Sequence, residues 1–92
     1  MKFKTSHARS ISGNNITVSI EGEHDEQMIQ VLVELDGFTL ADDSLQPPSQ
    51  SYENNFSNAG DAGPLMEHKL VVTATTTDNA AHSSTTIWTD PI

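Results

Sequence analysis

The sequence predicts an all-β protein, an antiparallel β-sandwich of about seven strands, and three observations lead there. The first is the stretch from His68 to Thr77, then Asp78-Asn79-Ala80-Ala81, then His82 to Asp90. β-Branched and apolar residues dominate both arms, while Asp-Asn marks a reversal between them. The second is two-residue alternation in Ile16-Thr17-Val18-Ser19-Ile20 and again from Ile29 to Leu35, the period of a strand with one buried face. The third is that turn residues recur between the apolar runs, with no convincing amphipathic helix, heptad or internal repeat.

Taken along the chain, residues 1–14 are an N-terminal segment, in which any edge strand formed by Phe3 to His7 ends at the loop signal Ser10-Ile11-Ser12-Gly13-Asn14-Asn15. The sandwich domain is expected over residues 15–92. Ile16, Val18 and Ile20 face its core, and Glu21 to Gln27 reads as a charged turn. Met28 to Leu35 is the strongest strand, with Ile29, Val31, Val33 and Leu35 on one face. Asp36-Gly37 closes it as a turn, and Phe38 to Leu40 is a short strand beyond. From Ala41 to Pro64 the composition shifts to Asp, Ser, Gln, Pro, Asn and Gly. That region reads as a loop containing one weak strand, Tyr52 to Phe56, because proline lacks the ladder donor and Pro47-Pro48 cannot lie inside a central strand. A glycine-rich turn, Asn58 to Pro64, leads into the strand beginning near Met66. If Ile87 of the last strand faces the core, the two-residue period places Trp88 on the outer face.

Composition narrows the function classes. With 92 residues there is room for one domain. Thirteen acids oppose four Lys and Arg, for a net charge of −9, and three of the four cations are Lys2, Lys4 and Arg9. Such a surface repels phosphate backbones and anionic headgroups, which excludes nucleic acid as a partner. The same charge opposes unguided self-association, so a monomer is expected. No apolar run approaches the roughly 20 residues of a membrane span, and no signal peptide follows Met1-Lys2-Phe3-Lys4. With no cysteine there is neither disulfide nor thiolate site. The strand-rich character favours a domain cut from a larger exported chain, placing it outside the cell or on its surface.

The order Ile29-x-Val31-x-Val33-x-Leu35-Asp36-Gly37, the aromatic strand Tyr52 to Phe56, Gly63, and His68-x-Leu70-x-Val72-x-Ala74 before Asp78-Asn79-Ala80 resembles the small immunoglobulin-like or fibronectin type III-like accessory modules of secreted bacterial hydrolases, such as chitinases, chitobiase-like enzymes and polyester depolymerases. The resemblance covers residues 16–90. It implies an immunoglobulin-like sandwich and a non-catalytic spacer or support beside a catalytic domain in the parent chain, that domain being its partner. The alternatives are a carbohydrate-binding module and a cell-surface adhesion module whose Thr-rich strands pair with another chain.

Carbohydrate binding requires flat aromatic faces at the surface, with polar groups for the hydroxyls. Among five aromatic residues the ligand-binding candidates are Trp88, Tyr52 and Phe56, provided the fold brings them together around a polysaccharide. Calcium requires six to eight oxygens. Asp36, Asp42, Asp43, Asp61, Asp78 and Asp90 are available, but not in the spacing of a dedicated loop. His7, His24, His68 and His82 lack a compact metal-ligand signature, and no nucleophile elbow accompanies Ser, His and Asp. No catalytic residue, metal or cofactor is therefore assigned. His68 is expected to be a partly buried strand residue whose ring finds a backbone or carboxylate partner, and His82 to be exposed. Asn15-Ile16-Thr17 and Asn55-Phe56-Ser57 match the glycosylation sequon, which matters only in a eukaryotic secretory route.

Overall fold

The computed structural model describes residues 2–9 and 16–90. They form five strands and no helix: β1 (Lys2–Arg9), β2 (Ile16–Leu35), β3 (Phe38–Phe56), β4 (Glu67–Thr76) and β5 (Ala81–Thr89). All pairings are antiparallel, in the order β1-β2-β4-β5, with β3 on the other side of β2. The protein is thus all-β, built on one curled antiparallel sheet. The expected count of about seven strands is corrected to five among the described residues, because two presumed breaks are not breaks. Glu21 to Gln27 is part of β2, and the polar, proline-containing stretch after Ala41 is part of β3.

A straight strand of 20 residues would span about 66 Å, yet the molecule measures 43 × 19 × 18 Å. β2 must therefore bend, and the register shows where. Glu23 pairs with Ser51, Met28 with Ser49 and Gln30 with Ser44. On β2 the residues His24 to Gln27 bulge opposite Gln50, and on β3 the residues Leu45 to Pro48 bulge opposite Ile29. These reciprocal bulges make a corner, as bulges do where a sheet must turn. The amide of Gln50 ties it by bonding the Asp25 carbonyl at 2.6 Å. Pro47 and Pro48 lie in the unpaired bulge of a strand with one partner, so the rule against proline in a ladder holds although the strand continues around it.

Beyond the corner the two arms of β2 fold toward each other. The amide of Ile16 donates to the Gly60 carbonyl at 3.0 Å. A side chain at Gly60 would meet Leu35 Cδ2 at 3.2 Å and Ile16 Cδ1 at 3.9 Å, so the first and last residues of β2 close on one glycine. Between the arms lies the core of Ile16, Val18, Ile20, Val31, Val33 and Leu35 from β2, Leu70, Val72 and Ala74 from β4, and Tyr52 and Ala62. The bulge shifts the alternation of β2 by one residue, burying Met28 and leaving Ile29 only half-buried, a correction to the expected face.

Tight turns complete the frame. Asp36 and Gly37 both adopt positive φ, 52° and 85°, the pair of conformations that joins twisted strands in a two-residue hairpin. Asn79 sits at φ 66° in the β4–β5 turn, where the Asp78 carboxylate accepts hydrogen bonds from the Thr76 hydroxyl and the Ala80 amide.

Strand direction fixes where the chain enters and leaves. Lys2 pairs with Glu23, beside the corner, whereas Thr89 pairs with Glu67 at the end where Ile16 and Leu35 meet. A ten-residue arm needs about 33 Å, so only the 43 Å axis accommodates it. The first and last described strands therefore open and close at opposite ends of a slim molecule.

Candidate functional site

Three elements converge at the end away from the corner. The Asp36-Gly37 turn delivers Asp36, the inward face of β4 delivers His68, and the residue after β5 delivers Asp90. The ring of His68, 1% exposed, places Nδ1 2.6 Å from Asp36 Oδ2 and Nε2 2.7 Å from Asp90 Oδ2. A carboxylate only accepts, and a neutral imidazole has a single N–H. With a carboxylate on each nitrogen, the ring satisfies both bonds as an imidazolium donating twice. Burial opposes that charge, but the bonds to Asp36 and Asp90 and their negative charges outweigh it and raise the pKa of His68 above its ordinary value. Burial likewise opposes the charge on Asp90. The hydrogen bonds from His68 and the Gly63 amide, with the imidazolium charge, outweigh it and lower the Asp90 pKa.

The surrounding backbone locks the three groups in place. Asp36 Oδ1 accepts from the Lys69 amide at 2.8 Å, and the Asp36 amide donates to the Lys69 carbonyl at 2.9 Å. The Asp90 amide donates to the Met66 carbonyl at 2.8 Å, its carbonyl accepts from Leu65, and its carboxylate accepts from Gly63 at 3.2 Å. The cluster has the composition of a catalytic relay without its freedom. Both ring nitrogens are engaged by carboxylates and the ring is buried. What it does is clamp the strand end at which the chain leaves to the hairpin turn of β2 and β3.

Of the aromatic candidates, Trp88 lies inward rather than outward, and Ile87 is the exposed one, at 61%. The expected facing is inverted because β5 takes its phase from β4. Leu70, Val72 and Ala74 point to the core, and their partners are Thr86, Ser84 and His82. Residues opposite each other share a face, which puts Trp88, the partner of His68, on the inner side. His7 stacks on Trp88 at 4.0 Å with 8° between the rings, and His68 tilts against it at 5.3 Å. The indole Nε1 makes no hydrogen bond of acceptable geometry, although it lies near enough to Asp90 to favour that carboxylate's charge. Tyr52 is buried and meets Phe3 edge-on at 6.4 Å, and Phe56 packs against the core. Among the described residues no ring contact joins Trp88 to Tyr52 or Phe56, so the three are not brought onto one flat platform.

No protein-family model matches the chain. Neither a curated protein nor a solved structure matches it. The likeness to immunoglobulin-like accessory modules therefore rests on the residue pattern.

A second polar cluster ties the arms of β3 across the corner. The Tyr52 hydroxyl donates to Asp43 Oδ2 at 2.5 Å, and Asn54 Nδ2 donates to the Tyr52 oxygen at 3.0 Å. Burial and the bond to Asp43 push the phenol up to about 12. At the corner itself His24 and His82 lie with ring centroids 4.6 Å apart. His24 Nδ1 accepts from the Glu26 amide at 3.0 Å, and His82, expected to be exposed, is half-buried with Nε2 enclosed and unpaired. Of the aspartates weighed for calcium, Asp36 and Asp90 are spent on His68, Asp43 on Tyr52 and Asp78 on its own turn. Among the described residues no group of three His, Asp or Glu side chains is arranged to hold a metal ion.

His68 was expected to be partly buried with a backbone or carboxylate partner; it is fully buried between two carboxylates. Asp36 was legible only as a turn residue and Asp90 only as a strand end. The available signal was the placement of the three: a hairpin turn, the first inward position of the next strand in the sheet, and the residue just past the last strand all meet at one end of an antiparallel sheet.

Proposed function

We propose that the chain is a non-catalytic spacer or support module of a secreted multidomain bacterial hydrolase that acts on a polysaccharide or another polymer, with an adjacent catalytic domain as its partner. The finer fold reading is an immunoglobulin-like sandwich. The bent β2 and β3 each supply one arm to either layer, so that with β1, β4 and β5 there are seven strand segments. The observation that carries the proposal is where the first described strand opens and the last one closes. Strands that open and close at opposite ends of a 43 Å axis hold whatever precedes and follows at a fixed separation, and the Asp36–His68–Asp90 clamp secures the exit. Carbohydrate binding draws no support from the three candidates Trp88, Tyr52 and Phe56, which pack against His7, His68, Phe3 and the core.

The test is small-angle scattering on the chain placed between two compact fluorescent proteins. The expected separation of their centres exceeds that of a direct fusion by close to the length of the long axis, with a narrow distribution. Neighbours that collapse onto each other regardless of the insert would overturn the spacer reading. An amide NMR titration with chitin, cellulose and xylan oligosaccharides supplies the other arm: shifts gathered around Trp88, Tyr52 or Phe56 would replace it with carbohydrate binding.

A further inference from the structure

Of the two sequons, Asn15-Ile16-Thr17 begins outside the described residues and has Gly13 two positions before its asparagine, whereas Asn55-Phe56-Ser57 has Glu53 there. β3 alternates cleanly at this end. Tyr52, Asn54 and Phe56 turn inward, while Glu53 and Asn55, with Ser57 just past the strand, are exposed on the outer side. The neighbouring Asn54 is fully engaged: its Nδ2 donates to the Tyr52 oxygen at 3.0 Å and its Oδ1 accepts from the Asn55 backbone amide at 2.8 Å. The side-chain amide of Asn55 makes no hydrogen bond among the described residues. β3 pairs with β2 alone, so its far edge is open to an enzyme that grips an extended segment, and the chain turns away at Asn58, φ 55°. Beside Asn55 lies a cleft of about 530 Å³, also lined by Ser6, Ser19, Glu21 and Glu53. Its hydroxyls and carboxylates are partners for the hydroxyls of a first sugar.

We propose that Asn55 is the acceptor of an N-linked oligosaccharide attached by a bacterial oligosaccharyltransferase. The bare three-residue sequon addresses the eukaryotic secretory route. The bacterial enzymes also require Asp or Glu two residues before the asparagine, and Glu53-Asn54-Asn55-Phe56-Ser57 meets that requirement with no proline at either intervening position. Glu53, Asn55 and Ser57 lie on one exposed side of the chain, so one enzyme surface reaches all three. The donor is an oligosaccharide linked to a polyprenyl pyrophosphate. Asn55 Nδ2 forms a bond to the anomeric carbon of the first sugar, the bond from that carbon to the pyrophosphate oxygen breaks, and the polyprenyl pyrophosphate leaves with the electron pair. Nδ2 gives up one proton to an enzyme carboxylate, and nothing is oxidised or reduced. In the cell the reaction needs an exported chain, so the modification rests on the secreted reading, whereas the acceptor chemistry is independent of whether the chain serves as a spacer.

The test is made on the folded, purified chain, with a purified single-subunit bacterial oligosaccharyltransferase, its divalent metal and its lipid-linked oligosaccharide, followed by intact mass and peptide mapping. A short unstructured acceptor peptide in the same tube shows that the enzyme is active. The expected result is one glycan per chain, on Asn55 and not on Asn15. Asn55→Gln should abolish transfer, and Glu53→Gln, which removes a charge-assisted contact, should slow it by about tenfold or more. Circular dichroism verifies that both variants fold. No transfer to the folded chain while the peptide is modified overturns the proposal, as does a glycan on Asn15 or transfer indifferent to Glu53→Gln. Because no neighbouring domain enters the reaction, a negative result here leaves the spacer reading standing, and a failed scattering test leaves this one.

Discussion

Replacing His68 with leucine removes the cation from between two carboxylates. Asp90, 4% exposed, is left as an enclosed charge facing an apolar side chain, while Asp36, whose side chain is 36% exposed, turns partly to water. Removing one partner of a buried ion pair costs about 3–5 kcal/mol. This cluster lies at the tip of a slim molecule with one carboxylate reaching solvent, so about 2–3 kcal/mol is appropriate. A 92-residue domain has a total stability of roughly 5–14 kcal/mol, and the loss corresponds to about 10–20 °C in melting temperature. Urea unfolding of the parent, His68→Leu and His68→Leu/Asp90→Leu measures it. The double variant should recover most of the loss, because the penalty comes from the stranded charge. The pH dependence is a second readout. The His68 pKa is raised on folding, so its contribution is complete below about 6.5, the unfolded value, and disappears as pH climbs through the folded value. The Asp90 pKa is lowered, so its contribution is complete above about 3.8 and disappears as pH falls through the folded value. Parental stability should peak between these limits and decline as pH rises through the folded value of His68, a decline that His68→Leu lacks. A single variant within about 1 kcal/mol of the parent, or a double variant no more stable than the single, would refute the clamp.

Val33 is fully buried between the arms, and Val33→Ala should cost about 2–3 kcal/mol in urea unfolding with an unchanged slope. At Asn79, φ 66°, alanine should cost about 1 kcal/mol while glycine is neutral or slightly stabilising in thermal melts. Ultraviolet titration should find the Tyr52 phenol ionising at about 12, and Asp43→Asn should bring it toward the ordinary value near 10, since the hydrogen bond to the carboxylate and its repulsion of the phenolate both disappear.

Where one face is apolar and the other polar, sequence and structure agree. Ile16, Val18, Ile20, Leu70, Val72 and Ala74 are buried as their alternation requires. Asp36-Gly37 and Asp78-Asn79 are reversals because Asp, Asn and Gly tolerate positive φ. What stayed hidden was non-local. A charged segment such as Glu21 to Gln27 looks like a turn, but it remains a strand where it rounds a corner and points its charges outward. Pro47-Pro48 looks like a strand end unless the partner's register absorbs the bulge. The facing of β5 was undecidable from β5, since Ile87 and Trp88 offer one apolar side chain to each side, and only the β4 register chooses. The candidate site was the least legible part, because Asp36, His68 and Asp90 are separated by 32 and 22 residues and nothing local in any of them announces the other two.

The corner in β2 and β3 has a consequence for how the molecule comes apart. In a sandwich whose layers are built from different strands, only side-chain packing and loops hold one layer to the other. Here the two arms of the curled sheet are joined by the continuous backbones of β2 and β3. If the layers splay, each arm remains tethered a few residues from its counterpart, and closing so short a loop costs little entropy. The layers face each other at high effective concentration, and re-closure outpaces loss of the β2–β3 ladder. Thermal excursions should therefore take the form of brief hinge-like opening at the end where Ile16, Gly60 and Leu35 meet, with the ladder-paired amides of β2 on either side of the corner exchanging last.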